Sequence, residues 1–252
     1  MNVTIAIPVY NRAKLVRVAL ESALAQETEG LEILVIDNCS TDDTWQVLQS
    51  YSDPRLHLVR NPANIGLYGN LNRCLELAQG DYLRILCSDD RLVEGCIARE
   101  LALMRQHPLA VMLSTRGREV DANWKLLRLF ADEFPAGVYA GEEMIGNVLW
   151  LISHYNSNPL NYPSGILIQR KAALATGTFT DRYRLVGDID YWLRLFTRGE
   201  VVVSDQVGCE VMFHPEQEGN SVRMSGVMVD EFSHWLLNGV LNWRPATCMV
   251  AS

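Results

Sequence analysis

The chain has 252 residues, of which 48% are hydrophobic, and this is enough to bury one sizeable core. Its formal net charge of −8 gives no general attraction for nucleic acid, which we exclude as a partner. Six scattered cysteines without a CxxC pair indicate reduced thiols. The N-terminus lacks a signal-peptide pattern, and no apolar run reaches the ~18 residues of a membrane span. We therefore expect a cytoplasmic protein without a transmembrane segment.

Predicted strands and helices alternate over the first 110 residues. A run rich in β-branched residues predicts a strand at residues 3–10, and apolar runs predict further strands at residues 31–38, 56–61 and 81–90. Apolar residues at helical spacing predict helices at residues 13–26, 41–52, 66–80 and 94–108. This alternation indicates an α/β fold, with a Rossmann-like, mostly parallel central sheet flanked by helices. The segment PVYNRAK at the end of the first strand contains no glycine, which excludes the GxGxxG dinucleotide-binding motif.

After Pro108 the alternation is less regular. Helices are predicted at residues 141–155 and 187–199, and an extended segment at residues 200–214. No linker interrupts the pattern, so residues 111–224 are predicted to be the second half of the same domain. Residues 225–252 contain an amphipathic helix that packs on the domain, pairs with a second subunit as a homodimer, or rests peripherally on a membrane surface. Its lack of lysine and arginine favours packing.

Polar residues follow three of the predicted strands, at residues 10–12, 37–40 and 88–90. In open parallel sheets ligands bind at the carboxyl ends of the strands, where these residues lie. The adjacent carboxylates of Asp89 and Asp90 repel each other unless a cation or hydrogen-bond donors neutralise them. Hard oxygen ligands suit Mg²⁺ or Mn²⁺. The alternative interpretation is an acidic N-cap for the following helix.

Four stretches stand in order along residues 3–195: IAIPVYNR, ILVIDNCSTDDT, NIGLYGNLNRCLELAQGDYLRILCSDD and GDIDYWLRL. Together they resemble the successive motifs of the inverting family 2 glycosyltransferases, which have the GT-A fold. The resemblance implies that residues 1–110 bind a nucleotide-sugar donor. It further implies that residues 111–224 bind the acceptor and complete the catalytic site.

The resemblance also implies which side chains contact the base and ribose of the donor. These residues are Pro8, Val9, Tyr10, Asp37 and Asn38, and Arg12 is a further candidate substrate-binding residue. The family usually has two acids at the positions of Asp37 and Asn38, so the amide is a departure, although an amide can also hydrogen-bond a base such as uracil. The alternative for this pair is an Asx-turn that leads into the next helix.

The Ser88-Asp89-Asp90 triplet corresponds to the DxD-type motif of the family. The resemblance implies that Asp90 binds Mg²⁺ or Mn²⁺, and that Asp89 lies at the ribose or at the water shell of the metal. Ser88 stands where many members of the family have the first aspartate, and it is a candidate substrate-binding residue. His214 is a candidate third metal ligand, with an ordinary strand-end histidine as the alternative. Two arginines are candidates for the diphosphate: Arg73, which alternatively is a solvated helix-face residue, and Arg223.

The same resemblance marks Asp188 as the catalytic base, with N-capping of the helix as the alternative. The implied reaction is a metal-assisted single displacement that moves a sugar from a UDP-sugar to a hydroxyl of a saccharide or lipid-linked acceptor. The implied setting is surface polysaccharide biosynthesis at the inner face of the membrane. Asn38, Ser88 and Gly187 depart from the family pattern, so an inactive nucleotide-sugar-binding or scaffolding protein of the same fold is the alternative.

Overall fold

The computed structural model describes residues 1–131, 133–155, 160, 162–183, 186–213 and 235. Within these residues, ten strands form one sheet. The strands are β1 (Val3–Val9), β2 (Leu31–Asp37), β3 (Leu56–Arg60), β4 (Tyr82–Ile85), β5 (Arg91–Leu92), β6 (Ala110–Val120), β7 (Leu126–Phe130), β8 (Gly137–Tyr139), β9 (Ile166–Gln169) and β10 (Glu200–Met212). The helices are α1 (Val16–Leu24), α2 (Thr44–Gln49), α3 (Gly66–Leu77), α4 (Cys96–Gln106), α5 (Gly141–Tyr155), α6 (Arg170–Thr176) and α7 (Gly187–Phe196), with a 3₁₀ turn at Pro163–Gly165.

The strand order is β3-β2-β1-β4-β9-β6-β10-β5, with β7 paired to β6 and β8 paired to β10. The first four strands are parallel, as the sequence predicts. The second half differs, because β9 lies antiparallel between β4 and β6, while β6 and β10 pair in parallel. Since β4 pairs with β9, the two predicted halves share a single mixed sheet.

Helices cover both faces of this sheet. Alternate residues of a strand point to opposite faces, so Ile5 and Ile7 of β1 pack in the cluster that contains residues of α1 and α4. Ala6 points the other way, into the cluster that contains residues of α3, α5, α6 and α7. The result is a three-layer α/β/α arrangement with the sheet in the middle. Among the helices that the structure describes, none has the length and apolar character needed to cross a bilayer.

One predicted strand is much shorter in the structure. The strand predicted at residues 81–90 ends at Ile85, because a turn follows in which the Asp90 N–H donates to the Cys87 carbonyl over 3.1 Å. The acidic pair therefore lies in a turn rather than in the strand.

The predicted C-terminal helix lies outside the described residues except for Trp235. This indole is buried, and its N–H donates to Asp190 of α7 over 3.3 Å.

Candidate active site

The carboxyl ends of β1, β2 and β4 meet at one edge of the sheet. Val9, the last residue of β1, lies opposite Asp37, the last residue of β2. On the other side of β1, Ala6 lies opposite Ile85, and the Leu86 N–H donates to the Ala6 carbonyl over 2.9 Å. All three predicted polar segments thus follow strands that end at this edge.

The segments after β1 and β2 are joined by hydrogen bonds. The Asn11 N–H donates to the Ser40 hydroxyl over 2.9 Å, and the Thr41 N–H donates to the Asn11 side-chain oxygen over 2.8 Å. The Arg12 N–H donates to the Thr44 hydroxyl over 2.9 Å. Tyr10 is exposed beside these contacts, whereas Pro8 and Val9 are buried in β1. The two segments form one surface on which Tyr10 is accessible to a ligand.

Asp37 is fully buried and its carboxylate is used within the protein. It accepts the Ser40 N–H, and it forms a 3.0 Å ion pair with Arg60. Arg60 also donates to the Ser40 carbonyl over 2.8 Å. These bonds are those of an Asx-type turn that a cation reinforces. The contact of Asp37 with a base stays a prediction, and Arg60 is a site residue that the sequence analysis missed.

Asn38 holds the loop that precedes α3. Its side-chain oxygen accepts the Asn61 amide and the Ile65 N–H, each over 3.0 Å. Its nitrogen donates to the Asn64 oxygen over 2.8 Å and to the Gly66 carbonyl over 3.1 Å. These four bonds use the hydrogen-bonding capacity of a side-chain amide. A carboxylate could not make the two donations, which accounts for asparagine at this position. The contact of Asn38 with a base also stays a prediction.

The turn after β4 holds the acidic pair. Asp90 is buried, and its two oxygens accept the Met212 N–H over 3.1 Å and the Ser164 hydroxyl. The Ser164 oxygen in turn accepts the Cys87 N–H over 2.9 Å. Burial, followed by the neighbouring Asp89 carboxylate, raises the pKa of Asp90 well above its ordinary value. Ser164 is therefore part of the site, although the sequence shows it only in a proline- and asparagine-rich loop.

This turn has the donor atoms that a divalent cation needs. One ligand atom each from Cys87, Asp89 and Asp90 lies within 4.8 Å of the others. Carboxylate oxygens suit Mg²⁺ and Mn²⁺. A bound cation would offset both the burial of the Asp90 carboxylate and its repulsion by Asp89, which together raise the pKa of Asp90. The residues present therefore fit such an ion. Ser88, between Cys87 and Asp89, is buried.

Asp188 lies in the first turn of α7 and is half-buried. Its carboxylate accepts the Ile189 N–H over 2.8 Å. Val186 is the residue before the helix, so Asp188 is not the N-cap residue itself. Its carboxylate still satisfies an N–H group of the first turn, so stabilisation of the helix end stays an alternative to the base role. Burial raises the pKa of Asp188 to about 6. A carboxyl group with this pKa is suited to accept a proton near neutral pH.

Tyr68 connects Asp188 to the strand-end loops. The Gly187 N–H donates to the Tyr68 hydroxyl over 3.1 Å, and Tyr68 lies in the first turn of α3, two residues after Gly66. A Cβ atom at position 187 would lie 2.5 Å from the Tyr68 ring. The glycine is thus required by the tyrosine that packs on it. The start of α7 is fixed against the same loop that Asn38 holds.

We expect the Tyr68→Phe variant to lose about 1–3 kcal/mol of unfolding free energy, because the buried Gly187 N–H loses its partner. Urea denaturation followed by circular dichroism would measure this loss. The control is Tyr51→Phe, which removes an exposed hydroxyl bonded to Glu21 and should change stability by less than about 0.5 kcal/mol. Equal stability of Tyr68→Phe and the wild type would contradict the assigned role.

The remaining predicted site residues are Arg73, His214 and Arg223, and the structure describes Arg73 alone among them. Arg73 forms a 2.8 Å ion pair with Glu76 on the surface of α3, as a helix-face residue would. His214 and Arg223 lie outside the described residues. Asp190 forms a 3.0 Å ion pair with Arg194 on α7. It therefore has a structural partner that Asp188 does not share.

Residues 4–174 match the model of glycosyl transferase family 2. The chain belongs to this family. A family 2 relative from Escherichia coli is named UDP-Glc:alpha-D-GlcNAc-diphosphoundecaprenol beta-1,3-glucosyltransferase WfaP. It is 35% identical over 102 residues, which cover 40% of this chain and 41% of the relative.

Two solved structures resemble the fold of this family 2 chain. Staphylococcus aureus TarS 1–349 in complex with UDP-GlcNAc has a TM-score of 0.70 and 18% identity, and the match covers 88% of this chain and 61% of TarS 1–349. The mannosyltransferase PcManGT from Pyrobaculum calidifontis, in complex with GDP-Man and Mn²⁺, has a TM-score of 0.67 and 17% identity, with coverage of 97% and 65%. The predicted GT-A type α/β fold is confirmed. The chain spans less than two thirds of the length of each of these three proteins.

Proposed function

We propose that this family 2 protein is an inverting glycosyltransferase that moves a sugar from a UDP-sugar to a hydroxyl group of a saccharide or lipid-linked acceptor. The proposed setting is surface polysaccharide biosynthesis. The observation that supports the proposal is the placement of two acidic features against the strand-end loops. The Asp89–Asp90 turn follows β4 at the carboxyl edge of the sheet, and α7 begins, with the half-buried Asp188, against Tyr68 of the helix whose preceding loop Asn38 holds at the end of β2.

The donor binds across the loops that follow β1 and β2. Tyr10 packs on the base or ribose, beside Pro8, Val9 and Arg12, while Asp37 and Asn38 shape the base pocket. The name of the E. coli relative contains UDP-Glc, and TarS was solved with UDP-GlcNAc. Both support a UDP-sugar as the donor. PcManGT was solved with GDP-Man, so the base has to be tested directly.

Asp90 would hold Mg²⁺ or Mn²⁺, with His214 as a candidate additional ligand, and Asp89 would lie at the ribose or at the water shell of the ion. The ion, when bound, would supply positive charge that stabilises the diphosphate leaving group. Ser88 is a candidate substrate-binding residue, and Arg73 and Arg223 are candidates for the diphosphate. Ser164 and the Met212 N–H orient the Asp90 carboxylate within the turn. Asp90 thereby keeps one fixed orientation.

Asp188 removes the proton from the acceptor hydroxyl. The acceptor oxygen forms a bond to the anomeric carbon on the face opposite the diphosphate, and the bond to the diphosphate breaks with its electron pair leaving on UDP. One displacement by one base inverts the anomeric configuration. The raised pKa of Asp188 supports this role, since a base is most effective when its pKa lies near the operating pH.

A thermal-shift panel of UDP, GDP, CDP and ADP, each with and without Mn²⁺, tests the donor assignment. We expect UDP with Mn²⁺ to stabilise the protein most. A nucleotide at about 100 times its Kd adds about 2.7 kcal/mol of stability, which corresponds to several degrees in Tm for a chain of this size.

Release of UDP from UDP-glucose and UDP-N-acetylglucosamine is measured on the same protein. Stabilisation by UDP without any turnover would favour the alternative function, an inactive nucleotide-sugar-binding protein. The departures from the family pattern at Asn38, Ser88 and Gly187 are the reason for that alternative. A panel in which no nucleotide stabilises the protein would reject the donor site itself.

A further inference from the structure

The hairpin formed by the end of β6 and by β7, residues 116–130, carries large apolar side chains on its outside. Leu126, Leu127 and Leu129 are 52%, 51% and 49% exposed. Val120 pairs with Leu126 and Arg118 pairs with Leu129, and the register shifts at Leu127 between them. Because directly paired residues share a face of the sheet, Leu126 and Leu129 lie on one face, and Leu127 is the extra residue of a β-bulge. A strand that borders water normally presents polar side chains on its solvated face. The face that carries Leu126 and Leu129 is apolar instead.

The hairpin is held in a defined shape. At its base, the Phe130 ring packs on Gly117, where a Cβ atom would lie 2.1 Å from the ring. In the middle, the guanidinium of Arg128 donates twice to Glu119, over 2.7 and 2.9 Å. At the tip, the Asp121 carboxylate accepts two backbone N–H groups, each over 2.9 Å. The leucines are therefore presented by an ordered β-ribbon.

The charge of the hairpin is opposite to that of the chain. Residues 116–130 contain four basic residues, Arg116, Arg118, Lys125 and Arg128, against the two acidic residues Glu119 and Asp121. This gives the hairpin a formal charge of +2 in a chain of −8. Trp124, at the tip, stacks under Arg91 with 4.1 Å between the guanidinium carbon and the ring centroid. Leucine, tryptophan and basic residues together are the composition that binds anionic membrane surfaces.

The apolar surface continues from the hairpin toward the candidate active site. Val120 pairs with Leu126 across the hairpin, and its carbonyl accepts the Phe213 N–H over 2.8 Å. Phe213 is 45% exposed, and the residue before it, Met212, donates its N–H to Asp90. A surface that covered the hairpin would therefore lie beside the turn that holds Asp90.

We propose that this hairpin docks the protein on an anionic lipid bilayer, with Leu126 and Leu129 entering the acyl boundary and Lys125 contacting the headgroups. The exposure and the charge of the hairpin support this docking. Neither depends on whether the protein transfers a sugar.

Co-sedimentation of the full chain with phosphatidylcholine vesicles, with and without phosphatidylglycerol, tests the proposal. The wild type should bind the anionic vesicles, more weakly as NaCl is raised, and bind the neutral ones little. The Leu126→Ser/Leu129→Ser variant should lower the partition coefficient at least about tenfold, and Lys125→Glu should lower it about tenfold. The control is Leu109→Ser, whose leucine is 68% exposed at the opposite end of β6, roughly 30 Å away.

Each variant is first shown to keep the wild-type Tm and the same response to UDP, so that a failure of the docking surface is distinguished from a failure of the donor site. The proposal is overturned if the wild type stays in the supernatant with anionic vesicles, or if the double leucine variant sediments like the wild type. It is also overturned if the leucine substitutions only dissociate a dimer in lipid-free light scattering, because a second copy of the chain would then occupy this face.

Discussion

The Asp188→Asn variant should lower the rate of UDP release in the presence of acceptor by about 10²–10⁴-fold, the usual contribution of a general base. Asparagine keeps the side-chain oxygen that accepts the Ile189 N–H, so the first turn of α7 should be unchanged. It cannot take a proton from a hydroxyl group. UDP binding with Mn²⁺, measured by calorimetry, should therefore stay at the wild-type level.

The pH dependence of kcat/KM tests the role of the Asp188 carboxylate independently. Because burial raises the pKa of Asp188 to about 6, the carboxylate form is lost as the pH falls below this value. The wild-type kcat/KM should then fall about tenfold per pH unit below pH 6, while the residual activity of Asp188→Asn should lack this dependence. The matched control is Asp190→Asn, because Asp190 has its own ion pair with Arg194. Wild-type turnover by Asp188→Asn would disprove the base assignment.

Replacing Asp90 by asparagine should abolish the stabilisation that Mn²⁺ adds to the UDP complex and lower turnover by at least about 100-fold, since a bound cation contributes several kcal/mol to the transition state. The amide can still accept the Met212 N–H, and the Ser164 hydroxyl can rotate to accept from it. The substitution also removes a buried carboxylate, so the protein without metal should be at least as stable as the wild type. Thermal shifts with and without Mn²⁺ measure both effects.

Glu94→Gln is the control for charge alone, because Glu94 is exposed four residues after Asp90. It should keep the full response to Mn²⁺. If Asp90→Asn keeps that response as well, the cation binds elsewhere and the assignment of the turn fails.

The sequence was sufficient to predict the edge of the sheet where the site lies. β1, β2 and β4 are short, mainly apolar runs between helical segments, and this alternation indicates parallel strands. Since parallel strands place their carboxyl ends at the same edge of the sheet, the placement of residues 37–40 and 88–90 at that edge followed from the pattern alone. The second half of the sheet did not follow, because the antiparallel insertion of β9 depends on long-range pairing.

The contacts that orient the site could not be predicted, because each joins residues that are far apart in sequence. Ser164 is 74 residues from Asp90, and Gly187 is 119 residues from Tyr68. Serine in a loop and tyrosine in a helix have no local pattern that indicates such a partner. The sequence likewise does not predict the four hydrogen bonds of Asn38. The asparagines of the following loop indicate that an amide network could form, but not which groups it joins.

The packing of Tyr68 on Gly187 limits how this site can change by mutation. A glutamate at position 187, which the family pattern often has, would place its Cβ atom into the Tyr68 ring. Acquiring that acid therefore requires a smaller side chain at position 68 first, and that intermediate lacks both the hydroxyl and the glutamate. A single substitution at either position therefore weakens the start of α7, so the two positions have to change together.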